Sequence, residues 1–117
     1  MTERVNGNLT VSDDVFADLA GYAAKECYGV VGMAAADGRD GLSHALGSSR
    51  LRRGVHVSRD EDGRLVIDLN VILEYGVNLS AVSRNLVDAV QFVLKGIAQI
   101  DDAQVRVHVR GMKVREP

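Results

Sequence analysis

The stretch from Leu65 to Tyr75 constrains this chain more than any other. Leu65, Ile67, Leu69, Val71, Leu73 and Tyr75 alternate with Val66, Asp68, Asn70, Ile72 and Glu74. Successive side chains of a strand point to opposite faces, so this period predicts a long β-strand with one greasy face and one mixed face. A single strand cannot bury its greasy face alone; it needs neighbours in a sheet and a second layer to pack on. Two neighbours are legible. Gly54 to Ser58 places Val55 and Val57 on one face, and Asp60-Glu61-Asp62-Gly63 is a hairpin turn signal leading into the long strand. Near the C-terminus Ala103, Val105, Val107 and Val109 alternate with Gln104, Arg106, His108 and Arg110. A further short strand is expected at Asn8 to Val11, after the Asn6-Gly7 turn.

The second layer comes from two helices. Val15, Phe16, Leu19, Ala20, Ala23, Ala24 and Cys27 recur at helical spacing after Ser12, an N-cap type residue, and Asp13-Asp14, whose charge suits a helix N-terminus. Gly29 stands where a left-handed stop is expected. Asn78 or Ser80 can cap the second helix, whose stripe is Val82, Leu86, Ala89, Val90, Val93 and Ile97. Between Gly29 and Arg53 the chain is irregular, with a short helical turn expected over Gly41 to Leu46. The elements predict an α+β fold: a two-layer sandwich in β-α-β-β-α-β order, with both helices on one face of a mainly antiparallel sheet. The order leaves the strand arrangement open. One domain is expected over residues 1–117, with its core at about 7–111 and a flexible tail at 112–117. Leu69→Asp or Val71→Asp would unfold it by burying an unpaired charge. Arg52, in the irregular segment, reads as part of a solvated or salt-bridged surface, and Arg52→Ala is expected to leave stability nearly unchanged.

At 117 residues the chain can bury a core without disulfides or a structural metal. Its single cysteine, Cys27, has no partner for an intramolecular disulfide, which fits a reducing compartment. The polar N-terminal residues lack the apolar region of a secretory signal, and no apolar run reaches membrane-spanning length. A cytoplasmic location is expected, with any membrane association coming through a partner. The formal net charge is −2, so a polyanion-binding role would need a local basic patch.

No constellation of residues spells out a reaction. The histidines His44, His56 and His108 are scattered, and a zinc site needs three or four ligands converging at about 2.0 to 2.3 Å. Cys27 sits on an apolar stripe near a helix C-terminus, where the dipole opposes a thiolate. The acidic pairs fall at helix starts and turns, where capping and solubility explain them. The glycines between Gly29 and Gly47 follow a helix and match no phosphate-cradling pattern. Catalytic, cofactor-binding and metal residues are therefore expected to be none, and no cofactor is expected.

The segments Gly7-Asn8-Leu9-Thr10-Val11-Ser12, Gly29-Val30-Val31-Gly32-Met33, Val71-Ile72-Leu73-Glu74-Tyr75-Gly76-Val77-Asn78 and Val105-Arg106-Val107-His108-Val109-Arg110-Gly111 stand in an order and spacing that resembles the alkaline shock protein family. The resemblance covers roughly residues 5–112. It implies a bacterial protein of the Gram-positive type, non-enzymatic and tied to envelope or alkaline stress. Some family members are tethered through a membrane anchor protein. Shorter members are often encoded beside a dihydroxyacetone-kinase-like fatty-acid kinase, which makes a lipid-metabolism kinase a possible partner. No catalytic residue is carried over. Ser80 stands where the family often has Pro, and His44 and Ser48-Ser49 stand in a loop that tends to be charged in the family.

Two surfaces can carry interactions. One is basic: Arg39, Arg50, Arg52 and Arg53 in the irregular segment, with Arg106, Arg110 and Lys113 on or beside the last strand; His108 shares the strand face of these arginines and is counted with the candidate surface. The other is the mixed face of the long strand, Val66, Asp68, Asn70, Ile72 and Glu74, which is either covered by the irregular segment or open for docking. The functional expectation is a non-catalytic scaffold or adaptor linked to cell-envelope homeostasis, acting by self-association as a homo-oligomer or by docking protein partners. The alternatives are an accessory partner of the kinase and a small RNA-binding domain. Nucleic acid is the less favoured ligand, because the exposed strand positions offer no aromatic to stack a base.

Overall fold

A computed structural model describes residues 10–34 and 52–114. In chain order these form α1 (Asp13–Lys25), β1 (Val30–Met33), β2 (Val55–Arg59), β3 (Leu65–Glu74), α2 (Leu79–Ala98) and β4 (Gln104–Lys113). The architecture is α+β, two helices on one face of a four-stranded sheet.

The alternating stretch forms β3, and every other strand pairs with it. Along one edge run β2, antiparallel and paired from Val55↔Leu69 to Arg59↔Leu65, and then β1, antiparallel and paired from Val30↔Leu73 to Met33↔Val71. Along the other edge β4 runs parallel to β3, from Val66↔Gln104 to Glu74↔Lys113. The parallel arrangement follows from α2: a crossover helix returns the chain to the starting end of the sheet, which a hairpin cannot do.

The odd-numbered side chains of β3 face the helices. Ile67, Leu69, Val71 and Leu73 are fully buried there against Ala20 and Ala24 of α1 and Leu86, Val90 and Leu94 of α2. The alanine-rich face of α1 lets it lie close to the sheet and to α2 in a core poor in aromatics.

Local signals fared unevenly. The Asp60–Gly63 turn forms as expected, with the Asp60 carboxylate accepting from the Asp62 and Arg64 backbone N–H groups and Gly63 at φ +84°. Asn78 caps α2 by accepting from the Ala81 N–H at 2.9 Å. Ser12 occupies the N-cap of α1, but its hydroxyl makes no capping bond. The first helix ends at Lys25, before Gly29, which takes its φ of +92° in the turn into β1.

Several expectations need correcting. Thr10 and Val11 belong to no strand, while Asn8 and Leu9 lie outside the described residues. Val30–Met33, read as irregular, is a strand. Met112 and Lys113, read as tail, close β4 against Leu73 and Glu74. Tyr75 falls in the turn after β3 and is 69% exposed, and Ile97 is 67% exposed because Leu94 completes the buried stripe of α2 in its place. The helical turn expected at Gly41 to Leu46 lies outside the described residues.

Candidate interaction surface

The even-numbered face of β3 points away from both helices, yet Val66, Asp68 and Asn70 on it are buried. Burying a carboxylate or an amide is costly unless each polar atom is satisfied. The partners come from β4, where alternation puts Arg106, His108 and Arg110 on the same face.

Arg106 stands opposite Asp68 in the register and grips it with both arms: Nε donates to Oδ1 at 2.7 Å and Nη2 to Oδ2 at 2.9 Å. His108, opposite Asn70, reaches diagonally back, its Nε2 lying 2.8 Å from Asp68 Oδ1. An ionised carboxylate has no hydrogen to give, so this contact places a proton on Nε2. The Arg106 guanidinium holds the Asp68 carboxyl down at about 2, with help from His108 and against the opposing effect of burial. In return, Asp68 raises the pKa of Arg106.

Arg110 repeats the diagonal step, donating from Nε to Asn70 Oδ1 at 2.8 Å. It is the bulged residue of β4, since Val71 pairs with Val109 and Ile72 with Gly111. Asn70 fills the seam between β1 and β2. Its backbone N–H and its side-chain Nδ2 both donate to Gly54 O, and its carbonyl accepts from the Ala34 N–H. The backbones are tight at this seam: a Cβ on Gly54, whose φ is +81°, would lie 2.8 Å from Ala34 O. Asp68 and Asn70 therefore anchor a polar ladder running across the outer face from β2 to β4.

Of the residues singled out in the sequence, Val66, Asp68, Asn70, Ile72, Glu74, Arg106, His108 and Arg110 share this face or its edge. Arg52 does not join them. It lies on the helix side, bidentate to Asp18 at 3.0 and 3.1 Å and 3.0 Å from Asp14. Arg53 is also engaged, and Arg39 and Arg50 lie outside the described residues. The described arginines thus serve two layers rather than one patch.

Sequence reasoning missed a shallow hollow of about 320 Å³ at the far end of β3, flanked by Tyr28 and Tyr75 and floored by Val77, Ala81 and Val82. Its only advance signal was a tyrosine beside each of the turn glycines Gly29 and Gly76. Cys27 is half-buried, and burial pushes its thiol up. Among the described residues no group of three or more His, Cys, Asp or Glu side chains could hold a metal ion, and no helix is long and apolar enough to cross a membrane.

Residues 1–114 match the sequence profile of the alkaline shock protein 23 family, which is described as having a cell envelope-related function. The chain belongs to this family. It is similar to the uncharacterized protein YloU of Bacillus subtilis (strain 168), with 35% identity over 112 residues, covering 95% of this chain and 92% of the relative. It is also similar to the uncharacterized protein Spy1614 of Streptococcus pyogenes serotype M6, with 34% identity over 118 residues, covering 97% of each chain. No solved structure matches. The alkaline shock protein 23 family thus supplies an envelope-related setting, while its relatives here carry no assigned activity.

Proposed function

We propose that the chain is a non-catalytic scaffold or adaptor on the cytoplasmic side of the cell envelope, docking protein partners or further copies of itself on the outer sheet face. The observation that carries this reading is the ladder of Asp68, Arg106, His108, Asn70 and Arg110. Its buried groups, Asp68 and Asn70, are satisfied from within the ladder, which suits a rigid, patterned surface better than a reactive site. Half-buried Ile72 lies among them, and a semi-apolar patch edged by charge is the usual make-up of a docking surface.

The test compares two variants in native cells, Ile72→Arg on the outer face and Asp88→Arg on the exposed side of α2. Circular dichroism first confirms that both fold. Ile72→Arg is expected to release the protein from envelope-bound complexes, and Asp88→Arg to leave them intact. Equal behaviour of the two would contradict the reading. Light scattering across concentration tests the self-association arm, which a strict monomer at high concentration would remove.

A further inference from the structure

The outer edge of β4 offers something more specific than a face. β4 is ten residues long and, among the described residues, pairs only with β3. An unpaired strand edge presents a row of backbone donors and acceptors that templates another strand. Proteins guard such edges with charge and bulges, and β4 has both: Arg106, Arg110 and Lys113 with no acidic residue from Gln104 to Lys113, and a bulge at Arg110.

The form of this guard selects a partner. If two copies met β4 to β4 in antiparallel fashion about His108, Arg106 of each would be brought towards the bulged Arg110 of the other, and like charges across a sheet repel. An acidic strand meets the opposite situation. Arg106 is bound to Asp68 yet its side chain remains 53% exposed, and Arg110 donates to the neutral amide oxygen of Asn70. Both guanidiniums keep donors for a second acceptor, since each has five. On the other face of β4, Val105 and Val107 are half-buried and Val109 is 37% exposed. That leaves room for a β-branched neighbour beyond the edge.

We propose that the outer edge of β4 accepts an extended segment of a partner protein as an additional strand, acidic side chains on the Arg106–Arg110 face and small apolar ones on the Val105–Val109 face. The segment pairs with Gln104 to Val109, where the bulge ends the straight edge. Backbone bonds supply the general affinity and the alternating side chains the selectivity, as in other strand-addition complexes. The inference rests on the docking reading above and names its partner chemistry.

The experiment uses the full chain and synthetic peptides alternating glutamate with valine, or lysine with valine, followed by amide exchange and chemical-shift mapping. The acidic peptide is expected to bind, to weaken with salt, and to protect those β4 amides that do not bond to β3. The basic peptide is expected not to bind. Arg110→Gln, which keeps a hydrogen-bonding side chain beside Asn70, is expected to weaken the acidic peptide roughly threefold to tenfold. The proposal is overturned if the acidic peptide protects no β4 amide at about 1 mM, or binds elsewhere, or binds no better than the basic one. It is likewise overturned if single-stranded RNA occupies the arginines while the acidic peptide does not, or if concentrated protein pairs with itself along β4. Failure here with Ile72→Arg still releasing the envelope complex removes strand addition alone. Failure of both removes the docking reading as well.

Discussion

Asp68→Asn isolates the centre of the polar ladder with almost no change in shape. The neutral amide keeps an acceptor for Arg106 but loses the charge that holds both Arg106 and His108. Asp68 is only 7% exposed, but the side chains of its partners Arg106 and His108 are 53% and 39% exposed, so solvent screens part of this interaction. Its carboxyl titrates at about 2 in the fold against an ordinary 3.8, and each pH unit of difference corresponds to about 1.4 kcal/mol. The charged form is therefore favoured over the neutral one by at most about 2 kcal/mol, and screening at the half-exposed Arg106 brings the expected loss of stability at neutral pH to about 1–2 kcal/mol. For a chain of this length that lowers the melting midpoint by about 4–8 °C. The pH dependence supplies an internal control. A depressed carboxylate contributes fully above its unfolded pKa, and the contribution fades as pH falls through its folded value. Urea unfolding followed by far-ultraviolet circular dichroism should show wild type and Asp68→Asn separated above about pH 4, drawing together as the pH approaches about 2. A difference under about 0.5 kcal/mol at neutral pH, or one that does not change with pH, would refute the reasoning.

Other perturbations test other parts of the fold. Leu69, fully buried at the middle of β3, should cost about 2–5 kcal/mol when cut to Ala, and Leu69→Asp should abolish cooperative thermal unfolding. Arg52→Ala, harmless on the sequence reading, should cost up to about 1 kcal/mol by losing Asp14 and Asp18, and the loss should shrink in high salt. Asn78→Ala should cost about 1 kcal/mol by uncapping α2, measured by chemical denaturation. Gly54→Ala should destabilise by more than about 1 kcal/mol, since it forces a side chain into a left-handed conformation against the Ala34 carbonyl.

The sequence was most informative where the signal is local. The alternation of β3 up to Glu74 and the Asp60–Gly63 turn depend on a few neighbouring residues and formed as read, and of the two cap candidates, Asn78 and Ser80, Asn78 is the one that caps α2. Val30–Met33 was missed because a short run with a central glycine has little period of its own; β3 makes it a strand by supplying the ladder. The parallel course of β4 is implied by the intervening helix, but choosing its edge requires long-range contacts. Asp68 and Asn70 look like solvent-facing residues in a list of letters. Only the β4 register shows that Arg106, His108 and Arg110 reach back to bury and satisfy them. Tyr75 and Ile97 erred the other way: Tyr75 lies one residue past the end of β3, and Ile97 lies off the stripe of Val82, Leu86, Val90 and Leu94 that α2 turns to the core.

Photo-crosslinking in native cells tests the docking account most directly, with the reactive residue placed in turn at Ile72 on the outer face of β3, at Val109 on the edge strand β4, and at Asp88 and Lys95 on α2. Crosslinks to one partner from Ile72 and Val109, and none from α2, are the predicted result. Partner crosslinks from α2 with silence at Ile72 and Val109 would contradict it.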